Sequence, residues 1–109
     1  MTGGNTGVGY QTCLELARKG ARVYMASRSE DRANEAIASI KKELGDSALI
    51  EFLKLDLMDL KQVKASAEEW LKKGLSLNIL INNAGTYDCR LRLNSRHHGV
   101  PFCSHQGWN

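Results

Sequence analysis

The sequence predicts an α/β fold: a parallel sheet with helices on its faces. Three observations predict it. Helical and strand patterns alternate from residue 2 to residue 85, and such alternation produces parallel strands joined by crossover helices. A glycine-rich turn opens the first helix. Gly20, Gly45 and Gly74 each follow a helical stretch, where a residue in the left-handed region commonly closes a helix.

Each element has its own reason. Val8 to Lys19 contains no proline, follows the glycine cluster and stops at Gly20. Ala21 to Ala26 is rich in β-formers and reads as a strand. Ser27 and Glu30 then match a capping box, S-x-x-E. The helix that follows places Ala33, Ala36, Ile37, Ile40 and Leu44 on one face and ends at Gly45. Leu49 to Leu55 is the next strand. Asp59 caps a third helix, with Gln62 three residues on, and Leu60, Val63, Ala67 and Leu71 form its apolar stripe. Trp70 lies one residue off that stripe and reads as a half-buried core aromatic. Leu77 to Ile81 is a third strand.

Composition narrows the function classes. The chain has 109 residues, room for one small domain. Its 42% apolar and 25% charged residues suit a globular protein and not a disordered, collagenous or coiled-coil chain. The formal charge is +3 and unevenly spread, too mild to make a case for a nucleic-acid-binding face. No apolar run approaches the roughly 18 residues of a membrane span. No signal peptide is visible, so the expected compartment is the cytosol. Three widely spaced cysteines do not make a disulfide framework.

The chain divides near residue 85. All three histidines and the single proline fall in residues 86–109, with Arg90, Arg92 and Arg96 set against Asp88. Tyr87 to Leu93 alternates apolar and polar, as a short edge strand would. Asn94 to Asn109 has no period and few aliphatics, which reads as an irregular tail. Cys89, His97, His98, Cys103 and His105 offer zinc-type ligands. They contain no C-x-x-C pair, however, and His97 and His98 are adjacent. No metal site is expected. Cys13, on the first helix, reads as a small core residue.

The chemistry is concentrated in Thr2 to Gly9, a T-G-x-x-x-G-x-G run. Glycine has no Cβ, so the backbone can turn tightly and approach a bulky anion. The helix beyond points free N–H groups and its positive dipole end at the same spot. Together these make a pyrophosphate cradle, although a flexible arm would also tolerate such glycines. Ser27 and Arg28 end the next strand 18–19 residues after Gly9, where a dinucleotide-binding fold reads the adenosine ribose. An acid there would favour a free 2′-hydroxyl. Arg28 can instead pair with a 2′-phosphate, and Ser27 can donate a hydrogen bond, which favours NADP(H) over NAD(H). The competing reading of Arg28 is a solvated surface arginine. Asn82-Asn83-Ala84-Gly85 follows the third strand. Its small residues leave room for a flat ligand at the carboxyl edge of the sheet, though asparagine and glycine also suit a plain turn.

With these features in order, residues 2–85 resemble the short-chain dehydrogenase/reductase family, and TGGNTGVG with ASRS is most similar to its retinol-dehydrogenase-like subgroup. The resemblance implies a partial Rossmann-like, doubly wound parallel sheet over residues 1–85. It also implies roles. Gly3, Gly7 and Gly9 would shape the pyrophosphate turn, lined by Asn5, Thr6 and Val8. Arg28 would meet the 2′-phosphate. Asp56 and Leu57 would sit beside the adenine, although Asp56 is as readily a strand-end cap. Asn82, Asn83, Ala84 and Gly85 would border the ribose and nicotinamide.

Parts of the family pattern are missing. The family has a strand before the T-G motif, between the segments that here are Ala21–Ala26 and Leu77–Ile81. Only Met1 precedes the motif. Strands lie about 4.8 Å apart, so a missing one leaves a gap of roughly 9.6 Å. A hydrogen bond spans only about 3 Å. Collapse, or unpaired groups costing about 1–3 kcal/mol each, is the expectation. The family's catalytic serine, tyrosine and lysine include a Y-x-x-x-K pair, and no lysine follows Lys73. No catalytic residue is therefore assigned. After Gly85 the family pattern breaks off, as a changed reading frame, retained intron or alternative exon would produce.

The expected function is that of an NADP(H)-binding oxidoreductase fragment. In a full-length relative the reaction would be hydride transfer between NADP(H) and a small carbonyl or alcohol substrate. The alternative is a non-catalytic truncated product that pairs with an intact relative through exposed sheet edges.

Overall fold

The computed structural model describes residues 1–85. Its elements run α1 (Gly7–Arg18), β1 (Val23–Ser27), α2 (Glu30–Leu44), β2 (Ile50–Lys54) and α3 (Leu60–Lys72). The predicted edge strand at Tyr87–Leu93, the irregular tail and the tail's cysteines and histidines lie outside the described residues.

β1 and β2 pair in parallel, in register from Val23 with Ile50 to Ser27 with Lys54. Side chains alternate along a strand, so Val23 and Met25 face one way and Tyr24 the other. α1 and α2 cover the first face. Cys13, Met25, Ile40 and Ile50 are wholly buried there, and Ala33, Ala36 and Ile37 complete the predicted inner face of α2. Two polar links join the helices. The Tyr10 hydroxyl donates to Ser39 Oγ at 3.1 Å, and Arg18 reaches Glu43 at 2.5 Å while also pairing with Glu15. Gly20, Gly45 and Gly74 all take positive φ after their helices, as the sequence requires.

α3 covers the opposite face, which makes the sheet doubly wound. Trp70 meets the Tyr24 ring edge-on, with centroids 4.8 Å apart at 85°. The Ser66 hydroxyl donates to the Lys54 carbonyl. This contact face differs from the predicted stripe. Val63 is half-buried, but Leu60, Ala67 and Leu71 are exposed, Leu71 to 75%. The reason is the pairing of Trp70 with Tyr24, which turns Gln62, Ser66 and Trp70 inward. Asp59 caps the helix as expected, its carboxylate accepting from the Lys61 N–H at 2.9 Å.

Two further expectations are corrected. The cap of α2 is Ser29, without a side-chain cap bond, and not Ser27. β1 runs one residue further than predicted because Ser27 still pairs with Lys54. The Ser27 hydroxyl donates to the Ser29 carbonyl at 3.1 Å instead of closing a capping box.

Leu77–Ile81 is not a strand. Residues 75–85 are irregular.

The predicted gap beside β1 is filled, not collapsed. Met1–Gly3 enters the place of a central strand. The Ala26 N–H donates to the Met1 carbonyl at 2.8 Å, and the Gly3 N–H donates to the Ala26 carbonyl at 2.9 Å. On the other side the Thr2 N–H donates to the Ile81 carbonyl at 3.0 Å. Ile81 is secured by this bond. Leu77, Ile79 and Leu80 are each more than half exposed.

Candidate functional site

The carboxyl edge of this short sheet gathers the glycine turn, the end of β1 and the segment Asn82–Gly85. Thr2 lies between β1 and Ile81, so the turn leaves the sheet at its centre. Gly3 has φ +62°, a conformation that glycine adopts without strain. A Cβ on Gly3 would stand 3.0 Å from Ala84 Cα. One on Gly9 would stand 2.2 Å from the Gly3 carbonyl oxygen and 2.7 Å from Asn83 Nδ2. The turn therefore closes on itself and on Asn83-Ala84 more tightly than any side chain permits.

Three hydrogen bonds join the motifs. Asn83 Nδ2 donates to the carbonyl oxygens of Thr2 and Gly3, each at 3.2 Å. The Ala84 N–H donates to Thr2 Oγ1 at 3.0 Å. Thr2 was not singled out in the sequence. Its signal was the first position of the T-G motif, where a hydroxyl acceptor sits one residue before the turn. Asn82 and Gly85 are exposed beside these contacts, and Ala84 is half-buried.

The mouth of α1 remains open. Thr6 is its N-cap, with extended backbone and no side-chain cap bond, and no acidic residue lies in the first turn. Helix N-termini leave N–H groups without intrahelical partners, and the dipole adds positive potential there. Gly7 has φ +55°, and a Cβ there would meet nothing within 4 Å. Asn5 is half-buried, and Thr6, Gly7 and Val8 are exposed. This uncapped end, with space over Gly7 and glycines where backbone approaches backbone, fits a pyrophosphate.

Arg28 is exposed just beyond β1, and its carbonyl accepts from Lys54 Nζ at 2.7 Å. Ser27 is buried, and its hydroxyl proton is committed to Ser29, so it offers a ligand lone pairs and not the donor expected. Asp56 and Leu57 are half-buried after β2. Asp56 Oδ1 accepts from the Met58 N–H at 2.9 Å, which is the strand-end cap reading. An open groove of about 790 Å³ also runs along the outer side of α1 from Gly7 to Lys19. It shares Gly7 and Val8 with the site but includes neither Arg28, Asp56 nor Asn83, so it adjoins the site and does not span it. No group of three or more His, Cys, Asp or Glu suited to a metal ion occurs among the described residues.

Fold and site together define an open α/β protein of Rossmann type, with a glycine turn at the carboxyl edge of its parallel strands. The sequence pattern of the short chain dehydrogenase family matches residues 1–100, which corrects the expectation that it breaks off after Gly85. The chain belongs to that family, whose members are oxidoreductases that bind nicotinamide dinucleotides. It is 53% identical over 85 residues to a short-chain dehydrogenase/reductase of Armillaria gallica, covering 78% of this chain and 27% of that protein. It is 45% identical over 89 residues to mouse (Mus musculus) retinol dehydrogenase 12, covering 82% and 28%. Among solved structures, menthone neomenthol reductase from Mentha piperita matches with a TM-score of 0.72 at 42% identity, covering 77% of this chain and 30% of that one. L-sorbose reductase from Gluconobacter frateurii, solved with NADPH and L-sorbose, matches with a TM-score of 0.68 at 30% identity, covering 79% and 32%. The chain thus spans about a quarter of the length of the curated relatives it matches. No helix among the described residues is long and apolar enough to cross a membrane.

Proposed function

We propose that residues 1–85 form the adenosine-side cofactor site of a short-chain dehydrogenase/reductase that takes NADP(H) in preference to NAD(H). The observation that carries this reading is the uncapped first turn of α1, set over a glycine turn that Asn83 pins in place. Gly3, Gly7 and Gly9 shape the pyrophosphate seat, with Asn5, Thr6 and Val8 around it. Asp56 and Leu57 flank the adenine. Asn82, Asn83, Ala84 and Gly85 border the ribose on the nicotinamide side. Arg28 supplies the positive charge that favours a 2′-phosphate. The neighbour solved with NADPH supports this choice by analogy.

When bound, the cofactor would supply the hydride that a longer member of the family exchanges with a carbonyl or alcohol carbon. This chain's own residues bind and orient the dinucleotide. None of them is assigned a proton-transfer role.

The test is an equilibrium titration of the folded chain with NADPH and with NADH. Saturable binding that is tighter for NADPH supports the reading. No binding of either nucleotide overturns it, and equal affinities overturn the NADP(H) preference alone.

A second reading has its own observation. Leu75, Leu77, Ile79 and Leu80 present apolar side chains to solvent beyond α3, as a surface for an intact relative would. Co-purification with a full-length dehydrogenase at fixed stoichiometry supports it, and a stable monomer in its presence overturns it.

A further inference from the structure

We propose that Lys54 is a specificity residue for the 2′-phosphate of NADP(H), acting by positioning Arg28 and by adding a second positive charge to the same turn. This rests on the cofactor reading above and extends it to a residue on a different strand.

Lys54 is the last residue of β2 and pairs in register with Ser27, the last residue of β1. Its backbone is held from two sides. The Ser66 hydroxyl donates to its carbonyl, and the next N–H, that of Leu55, donates to the Ser27 carbonyl at 3.0 Å. From that base the side chain reaches across the strand end, and Nζ donates to the Arg28 carbonyl at 2.7 Å. The turn from Ser27 to Glu30 is thus fixed at two points, by Lys54 at Arg28 and by the Ser27 hydroxyl at Ser29.

The chemistry follows from the donor count. An ammonium carries three N–H donors, and the Arg28 carbonyl takes one. The others stay available to an anion beside the turn. Neither Lys54 nor Arg28 enters an ion pair among the described residues. Both are exposed. Two unneutralised cations therefore belong to one turn, Lys54 held at the Arg28 backbone carbonyl, and a phosphate monoester is an anion that such donors can bind. NAD(H) has no group at that position. Lys54 should therefore act on the ratio of affinities and leave the shared parts of the two cofactors alone.

The experiment titrates wild-type chain, Lys54→Met and Lys54→Arg with NADPH and with NADH. Met keeps the length and apolar stem of the side chain while removing charge and donors. Arg restores both. We expect Lys54→Met to weaken NADPH binding roughly two- to fivefold, the scale of a solvent-screened charged contact. NADH affinity should stay unchanged, and Lys54→Arg should restore most of the preference. A merely structural role would weaken both nucleotides together, and that result overturns the proposal. So does an unchanged affinity ratio in Lys54→Met while wild-type chain prefers NADPH, which leaves the cofactor reading intact. Wild-type chain that binds neither nucleotide overturns both. Superimposable circular dichroism spectra of the three chains show that the comparison is between folded proteins.

Discussion

The side-chain amide of Asn83 donates to the carbonyl oxygen of Gly3 at 3.2 Å. The two residues are 80 positions apart, and the contact ties the far end of the described chain to the turn that opens it. The same amide also reaches the Thr2 carbonyl. Asn83→Ala removes both donations and leaves the Thr2 and Gly3 carbonyl oxygens without that partner. A net hydrogen bond is worth about 1 kcal/mol, so we expect a melting point roughly 4–8 °C lower. Nucleotide affinity should fall as well, because the turn loses its brace. Thermal unfolding followed by circular dichroism checks the first effect and titration the second. An unchanged melting point would show that the contact holds nothing.

Gly9 and Gly7 separate steric from conformational need. A Cβ on Gly9 would lie 2.2 Å from the Gly3 carbonyl oxygen, and that oxygen is backbone and cannot swing aside. Gly9→Ala must push the turn away from α1, so we expect severe destabilisation, with loss of a cooperative thermal transition. A Cβ on Gly7 meets nothing within 4 Å, but the residue sits at φ +55°, where a side chain costs about 1–2 kcal/mol. Gly7→Ala should therefore fold with a modestly lower melting point. Equal effects of the two substitutions would contradict this division.

Much of this was legible in the chain. Gly20 and Gly45 marked helix ends because a left-handed residue there is almost always glycine, and the inner face of α2 followed from Ala33 to Ile40. What escaped depended on partners outside the local pattern. Leu77–Ile81 has strand composition, but a strand forms only along a ladder of backbone bonds, and among the described residues one such bond, Thr2 N–H to the Ile81 carbonyl, reaches it. Leu60 and Leu71 fit an apolar stripe, yet α3 is oriented by Trp70 on Tyr24, a contact between residues that no single-helix periodicity relates. In the site, the glycines could be read because their backbone demands are local. The links from Thr2 to Ala84 and from Lys54 to Arg28 could not, since threonine and lysine suit many positions.

Two titrating groups act on stability with opposite signs. Burial raises the Cys13 thiol above its ordinary 9.0, and the positive Met1 amino group partly opposes the shift. The folded chain then keeps a proton that the unfolded chain releases, so stability is full below pH 9 and falls as pH rises above it. Burial lowers the Met1 amino group below its ordinary 8.0, partly offset by Cys13. Here the unfolded chain holds the extra proton, so stability is full above pH 8 and is lost as pH falls through the lowered value. We expect resistance to urea to be greatest between about pH 8 and 9 as far as these two groups decide it. Cys13→Ala should flatten the alkaline limb and N-terminal acetylation the lower one. If both limbs persist in both variants, other groups set the profile.

Trp70 carries the last prediction. α3 lies against the sheet through few contacts, chiefly the edge of Trp70 on the Tyr24 ring and the Ser66 hydroxyl on the Lys54 carbonyl. An aromatic pair adds about 0.5–1.5 kcal/mol beyond the area it buries. Trp70→Ala removes that pair and most of the apolar contact of α3, while α1 and α2 keep the core around Met25, Ile40 and Ile50. We therefore expect amide hydrogen exchange to accelerate by an order of magnitude or more over residues 60–72, in line with local opening of a weakly held element. Exchange over residues 7–18 and 30–44 should change little. Because Lys54 keeps its pairing with Ser27 and its own donation to the Arg28 carbonyl when α3 opens, NADPH affinity should drop less in Trp70→Ala than in Lys54→Met. Uniform acceleration across all three helices would mean instead that α3 unfolds only with the whole domain, and that its contact with Tyr24 belongs to the common core.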